Sequence, residues 1–274
     1  MSIIAISGKL NSGKDTIATI IQYLTTKKED ISYSGSYNSY IMDLGMGGSV
    51  TSDWQIKRFA DKVKDIVCLL INCTREQLED REFKEASLGE KWRVDYSGDY
   101  DLIERKDFDE NSFSEILTPR RLLQLVGTDC GRQIIHPNLW VNSLFSEYKP
   151  FDKGKAHDRK DFSELYTHIE CKHCRKSYSG WKRQYLCKEC IEDNLIQFYP
   201  NWIIPDMRFP NEVKAIKEKG GLIIRVERYS KTQSTHLSET SLDSFKFENS
   251  IINNGSIEDL ILKVKLILSS NKII

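Results

Sequence analysis

Two periods of apolar residues alternate along this chain, and the places where one gives way to the other mark its elements. Residues 2–7 read S-I-I-A-I-S, a short and nearly continuous apolar run rich in β-branched side chains, as in a strand buried on both faces of a parallel sheet. Gly8 and Gly13 interrupt it, and Ile17, Ile20, Ile21 and Leu24 then recur at helical spacing, which predicts strand, glycine loop, helix. Residues 54–60 predict a second strand, and Val63, Ile66, Val67 and Leu70 the inner face of a helix over 61–71. Thr74, with Gln77 three residues on, caps a short helix to Asp80. Thr118 and Pro119 open a helix to about Arg132, and another follows Pro137.

In the last third, Trp202 to Ile204 predict a strand ending at Asp206. A helix from about Asn211 to Lys219, a Gly220-Gly221 stop and a strand over Leu222 to Val226 follow. Ile251 and Ile252 mark a last short strand, Asn254-Gly255 a turn, and Ser256 the cap of a final helix to about Leu268. Three stretches show neither period: 30–52, rich in Ser, Tyr, Gly and Asn, reads as a long loop or mobile flap; 95–116, acidic and aromatic, as a surface excursion; 148–164, highly charged, as an insertion boundary. Strands alternating with helices predict an α/β fold, a three-layer α/β/α sandwich around a parallel sheet. The expected organisation is a core formed by 1–150 and 201–274, with a small module inserted at 165–200.

Composition narrows the partners. With 274 residues, 39% hydrophobic and 29% charged, the chain can bury one sizeable core. Its 40 basic and 40 acidic residues cancel, so no global field draws it to nucleic acid or anionic lipid, and neither is expected as a partner. The sequence contains no run of about 18 apolar residues and no basic-then-apolar leader, so no membrane is expected and the location is read as cytoplasmic.

Gly8-Lys9-Leu10-Asn11-Ser12-Gly13-Lys14 fits G-x-x-x-x-G-K, between a predicted buried strand and a predicted helix, the setting in which that motif holds phosphate. Glycines let backbone N–H groups and a helix N-terminus converge on the phosphates of ATP, and Lys14 can reach the β- and γ-phosphates. Gly8, Asn11, Ser12, Gly13, Lys14, Asp15 and Thr16 are therefore the expected nucleotide-binding residues. Asp15 occupies the position usually held by Ser or Thr, so Mg²⁺ would be served either by Asp15 through water or by the Thr16 hydroxyl.

The phosphate loop with its following Asp15-Thr16 resembles the opening of the phage-type deoxynucleoside monophosphate kinases, a P-loop nucleotide kinase family. Further segments are similar to the same family and keep its order: Phe59-Ala60-Asp61-x-x-Lys64, Arg81-Glu82-Phe83-Lys84-Glu85, Gly127-Thr128-Asp129-x-x-Arg132, Asp206-Met207-Arg208-Phe209-Pro210-Asn211-Glu212, and His236-x-Ser238-Glu239. Pro205 departs from the Thr or Ser expected before Asp206. The resemblance implies transfer of the γ-phosphate of ATP, with Mg²⁺, to a (deoxy)nucleoside monophosphate. It implies Lys14, Arg132, Asp206 and Arg208 as catalytic residues and Lys64, Arg81, Lys84 and Glu212 as substrate residues. Asp206 would bind Mg²⁺ through water or orient the acceptor, and either arginine would clamp phosphate oxygens or pair with a carboxylate, Arg208 with Glu212 for instance. Small-molecule nucleotides are then the partners, a homodimer would suit the fold size, and a phage origin would place the protein in the host cytoplasm.

Cys171-x-x-Cys174 and Cys187-x-x-Cys190, twelve residues apart, have the spacing of a four-thiolate Zn²⁺ site. Four protein ligands close the coordination sphere, so the expected zinc is structural, a zinc ribbon. Six basic residues against Glu170 and Glu189, with Tyr178, Trp181 and Tyr185 between them, keep a second reading open. In that reading the ribbon binds nucleic acid and the phosphate loop hydrolyses ATP. A third is a P-loop kinase for another small phosphorylated metabolite. Cys68, Cys73 and Cys130 fall on predicted helices and are expected to pack.

Overall fold

The computed structural model describes residues 2–26, 35–46, 52–95, 114–150, 169–170, 177–178, 199–229 and 240–274. It opens as the pattern predicts, with β1 (Ile3–Gly8), buried at every position, leading through the glycine loop into α1 (Lys14–Thr25). Then come α2 (Tyr37–Gly45), β2 (Trp54–Ile56), α3 (Asp61–Ile71), α4 (Arg75–Glu79) and α5 (Arg81–Glu85). They are followed by β3 (Arg93–Asp95), β4 (Ser114–Ile116), α6 (Pro119–Gln124), a π-helix at Leu125–Ile135, and α7 (Leu139–Phe145). The paired two-residue strands β5 (Ile169–Glu170) and β6 (Ser177–Tyr178) precede β7 (Asn201–Met207), α8 (Pro210–Glu218), β8 (Leu222–Glu227), β9 (Asn249–Ile252) and α9 (Ile257–Ser270).

Contacts divide the chain into two units. The larger, Met1–Lys57 with Phe145–Ile274, is built on a five-stranded sheet in the order β2-β7-β1-β8-β9, all neighbours parallel. On one face Ile4 and Ile6 of β1, Ile203 of β7 and Ile224 of β8 pack with Ile17, Ile20 and Ile21 of α1 and Leu260, Val264 and Leu268 of α9. On the other face, the Trp202 ring meets Tyr148 at 4.8 Å, and Ile216 of α8 and Ile3 of β1 both crowd Gly221. This is the expected three-layer α/β arrangement. From β1 the chain goes to the β2 edge, and after β7 it crosses β1 to β8 on the other side; the crevice at the C-terminal end of strands at such a reversal is where these folds take ligands.

The smaller unit, Arg58–Leu144, packs Val67, Leu78, Leu117 and Leu122 into a core of its own, and its only sheet among the described residues is the β3–β4 pair. Thr74 and Gln77 form the predicted capping box at α4. No helix among the described residues is long and apolar enough to cross a membrane.

Several expectations are corrected. The 30–52 loop contains helix α2: Ser36 Oγ accepts the Ser39 N–H, and Tyr37 and Tyr40 pack on Tyr23 of α1, so its apolar face is built from tyrosines. The strand expected over 54–60 stops at Ile56, because Asp61 caps the Arg58 N–H and turns the chain into α3. The 81–85 connection is the helix α5, begun by Asp80. The helix expected from Thr118 to Arg132 is α-helical only to Gln124 and then widens to π geometry. There Trp140 Nε1 takes the Gly127 carbonyl at 2.7 Å and its ring packs where a Cβ on Gly131 would stand. Cys68 and Cys73 do border the smaller core, but Cys130 is exposed.

Candidate functional site

The glycine loop is held open by backbone geometry that only its own sequence permits. Gly13, the residue that starts α1, sits at φ 96°, and Asn11 at φ 59°. A Cβ on Gly8 would lie 2.5 Å from Ser12 Oγ and 2.6 Å from the Val226 carbonyl. No side chain caps α1, so its positive N-terminal end is turned into the loop. Lys14, 8% exposed, folds back into it, and its ammonium donates to the Gly8 and Lys9 carbonyls at 2.7 Å each. Ser12 Oγ is buried and has no hydrogen-bond partner among the described residues, and buried hydroxyls are normally satisfied. A cationic ammonium and an orphaned hydroxyl inside a cradle that a Cβ would fill are the donor set a phosphate chain requires. Asp15 is exposed and Thr16 half-buried on the first turn.

Beside the loop, β7 carries Asp206 in its penultimate position, half-buried. The strand expected to end at Asp206 runs one residue further, because a bulge sets Pro205 and Asp206 together against Ile6 and restores pairing at Met207 with Ser7. Pro205 has no N–H to donate, and a bulge is where a central strand tolerates that. Arg208 follows, half-buried. Glu212, expected as a substrate residue, is 1% exposed, and its Oε2 accepts the backbone N–H of Arg208 at 2.7 Å and of Phe209 at 3.1 Å. Its carboxylate therefore holds the turn that presents Arg208.

Three residues that the sequence did not single out support the same loop. Arg225 on β8 lies beside Ser7 in the strand register, donates to Ser7 Oγ at 3.0 Å and pairs with Asp243 at 3.4 Å. Asp243 also receives Lys9 of the loop at 2.9 Å. Asn253, just past β9, donates from Nδ2 to the Ser12 carbonyl at 2.8 Å. An arginine in the apolar run L-I-I-R-V was the one signal available for Arg225.

In the smaller unit, Lys64 of α3 and Lys84 of α5 both grip Glu79 of α4, Lys84 at 3.3 Å. Burial pushes the Glu79 carboxyl up, but the Lys64 hydrogen bond and the two ammonium charges outweigh it and hold it below its ordinary value. Arg75 ties the same helices through Asp61 at 3.1 Å and Asp65 at 2.9 Å. Lys64 and Lys84 are thus brought together, Arg81 is exposed on α5, and Arg132 is half-buried in the π-helix. Cys171, Cys174, Cys187 and Cys190, as well as His236 and Glu239, lie outside the described residues.

Residues 159–264 match the family model of the deoxynucleotide monophosphate kinases, a stretch that includes Asp206, Arg208, Glu212 and the four knuckle cysteines. The chain is similar to these kinases. A protein of Acanthamoeba polyphaga mimivirus, named provisionally as a deoxynucleotide monophosphate kinase, is 30% identical over 150 residues, covering 52% of this chain and 56% of its own. The deoxynucleoside-5'-monophosphate kinase of Escherichia phage T5 is 22% identical across 96% of this chain and 94% of its own. The deoxynucleotide monophosphate kinase of Enterobacteria phage T4 is 33% identical over 91 residues, covering 32% of this chain and 38% of its own. The chain thus spans little more than half the length of the mimivirus relative.

Proposed function

We propose that this protein is a nucleotide kinase that transfers the γ-phosphate of ATP to a (deoxy)nucleoside monophosphate, releasing ADP and the nucleoside diphosphate. The observation that carries this reading is the cradle itself, a glycine loop between a buried strand and a helix, with Lys14 folded inside and Ser12 Oγ without a partner among the described residues. Names of relatives that span from under half to nearly all of their own length point to the same acceptor class.

The chemistry asks for positioning and charge. An ionised oxygen of the acceptor phosphate attacks the γ-phosphorus, the bond to the oxygen bridging the β-phosphate breaks, and no base has to remove a proton. Lys14 exchanges two loop carbonyls for β- and γ-phosphate oxygens. Arg208 neutralises charge gathering on the transferred group, a role that the resemblance also gives to Arg132. Mg²⁺ arrives with ATP and supplies further neutralisation; Asp206 and Asp15 or Thr16 are the groups that would receive it. The resemblance gives Lys64, Arg81, Lys84 and Glu212 to the acceptor. The four knuckle cysteines, by their spacing, would hold a structural Zn²⁺.

ADP formation from Mg²⁺-ATP against a panel of deoxy- and ribonucleoside monophosphates tests the proposal. Turnover with at least one of them, reduced by at least ~100-fold in Lys14→Ala, is expected. Hydrolysis stimulated by single-stranded nucleic acid, with no monophosphate phosphorylated, would overturn it.

A further inference from the structure

A phosphate-binding loop works only while its N–H groups face inward, so the carbonyls of the same peptides must find partners outside. In this loop the carbonyls of Gly8 and Lys9 are held by Lys14. That side chain has to leave them when an anion arrives, so it cannot fix the loop's shape in the bound state. The Ser12 carbonyl is held differently, by Asn253 Nδ2 at 2.8 Å, from 241 residues away in sequence. We infer that Asn253 is a positioning residue for polyphosphate binding, one whose amide locks the Ser12–Gly13 peptide with the Gly13 N–H turned into the cradle. This inference rests on the phosphate-loop reading above.

The planar trans peptide carries the argument. Its C=O and N–H point in opposite directions, so an amide that captures the Ser12 oxygen on the outer side sends the Gly13 hydrogen inward. The acceptor is a carbonyl, so the amide must present its nitrogen, which fixes its orientation. Asn253 is itself well anchored: its backbone N–H donates to the Glu227 carbonyl at 2.7 Å, extending the β8–β9 ladder by one residue. Gly13 is shaped to the same contact, because a Cβ there would stand 2.4 Å from Asn253 Nδ2. The glycine is required both for its φ of 96° and to admit the amide. Asn253 never needs to touch phosphate and remains in place as Lys14 moves.

Calorimetric titration with inorganic tripolyphosphate and with ATP, on the full chain and its Asn253→Ala and Asn253→Asp variants, tests this without requiring turnover. Asn253→Ala is expected to weaken both ligands about tenfold, and Asn253→Asp more, since a carboxylate opposes both the carbonyl and the anion. The acceptor KM and the melting temperature without ligand should stay near the parent values. Parent-like tripolyphosphate binding by both variants would overturn the inference. So would a fall in melting temperature accompanied by an equal rise in both substrates' KM, which would make the contact merely structural. Failure of the unaltered chain to bind either polyphosphate would instead overturn the phosphate-loop reading on which the inference rests.

Discussion

Arg225 Nη1 donates to Ser7 Oγ at 3.0 Å, joining the ends of two neighbouring strands where the phosphate loop begins. The guanidinium is 5.3 Å from the Phe247 ring centre and its side chain is 10% exposed, while its partner Asp243 is 40% exposed. Truncating a buried charge that is packed, hydrogen-bonded and only partly screened costs more than replacing its bulk. Arg225→Ala is expected to lower unfolding stability by about 2 kcal/mol and Arg225→Met by about 1 kcal/mol, compared by urea denaturation.

The glycines divide by what surrounds them. Gly220, at φ 67°, has nothing among the described residues within 4 Å of a hypothetical Cβ, so Gly220→Ala should cost only the backbone term, about 1 kcal/mol, and Gly220→Asn less. Gly8→Ala drives a methyl against the Val226 backbone carbonyl, which has no rotamer to yield. It should cost about 2–3 kcal/mol and also weaken ATP binding; thermal melts with and without ATP separate the two effects.

Acid should loosen the α3–α4–α5 cluster. Glu79 lies below its ordinary value of 4.5 in the folded protein, so its stabilisation is complete above that pH and is lost as pH falls through the depressed folded-state value. Urea midpoints followed from neutral pH to below 4.5 should decline in the parent. In Glu79→Gln the midpoint starts lower and declines less steeply.

Metal removal probes the cysteine module. Elemental analysis should find about one zinc per chain, released by a thiol-reactive mercurial and absent when Cys171 and Cys174 are both replaced by serine.

Much of this was legible in the chain because local chemistry dictated it. The β1–loop–α1 opening, the Thr74–Gln77 capping box and the Ser256 cap each follow from a few adjacent residues. What escaped depends on distant partners. Helix α2 hides its apolar face in tyrosines that need Tyr23 to pack on. The π-helix depends on Trp140 drawing away the Gly127 carbonyl. Glu212 is a substrate residue only by resemblance, and its burial against the Arg208 and Phe209 N–H groups is not written in its neighbours. Asn253 and Asp243 reach the loop only because the strand order brings the last strands back beside the first.

The bulge at Pro205 lets one strand end do two jobs. Trp202 and Ile204 align with Ile3 and Ala5, and one extra residue later Met207, fully buried, aligns with Ser7. Met207 is thereby a stopper that closes the apolar layer at the rim of the sheet, while Asp206 beside it stays half-buried. In a strand of the same length without the extra residue, Met207 would fall one position further along β1, and such a slip turns each side chain beyond it toward the other layer.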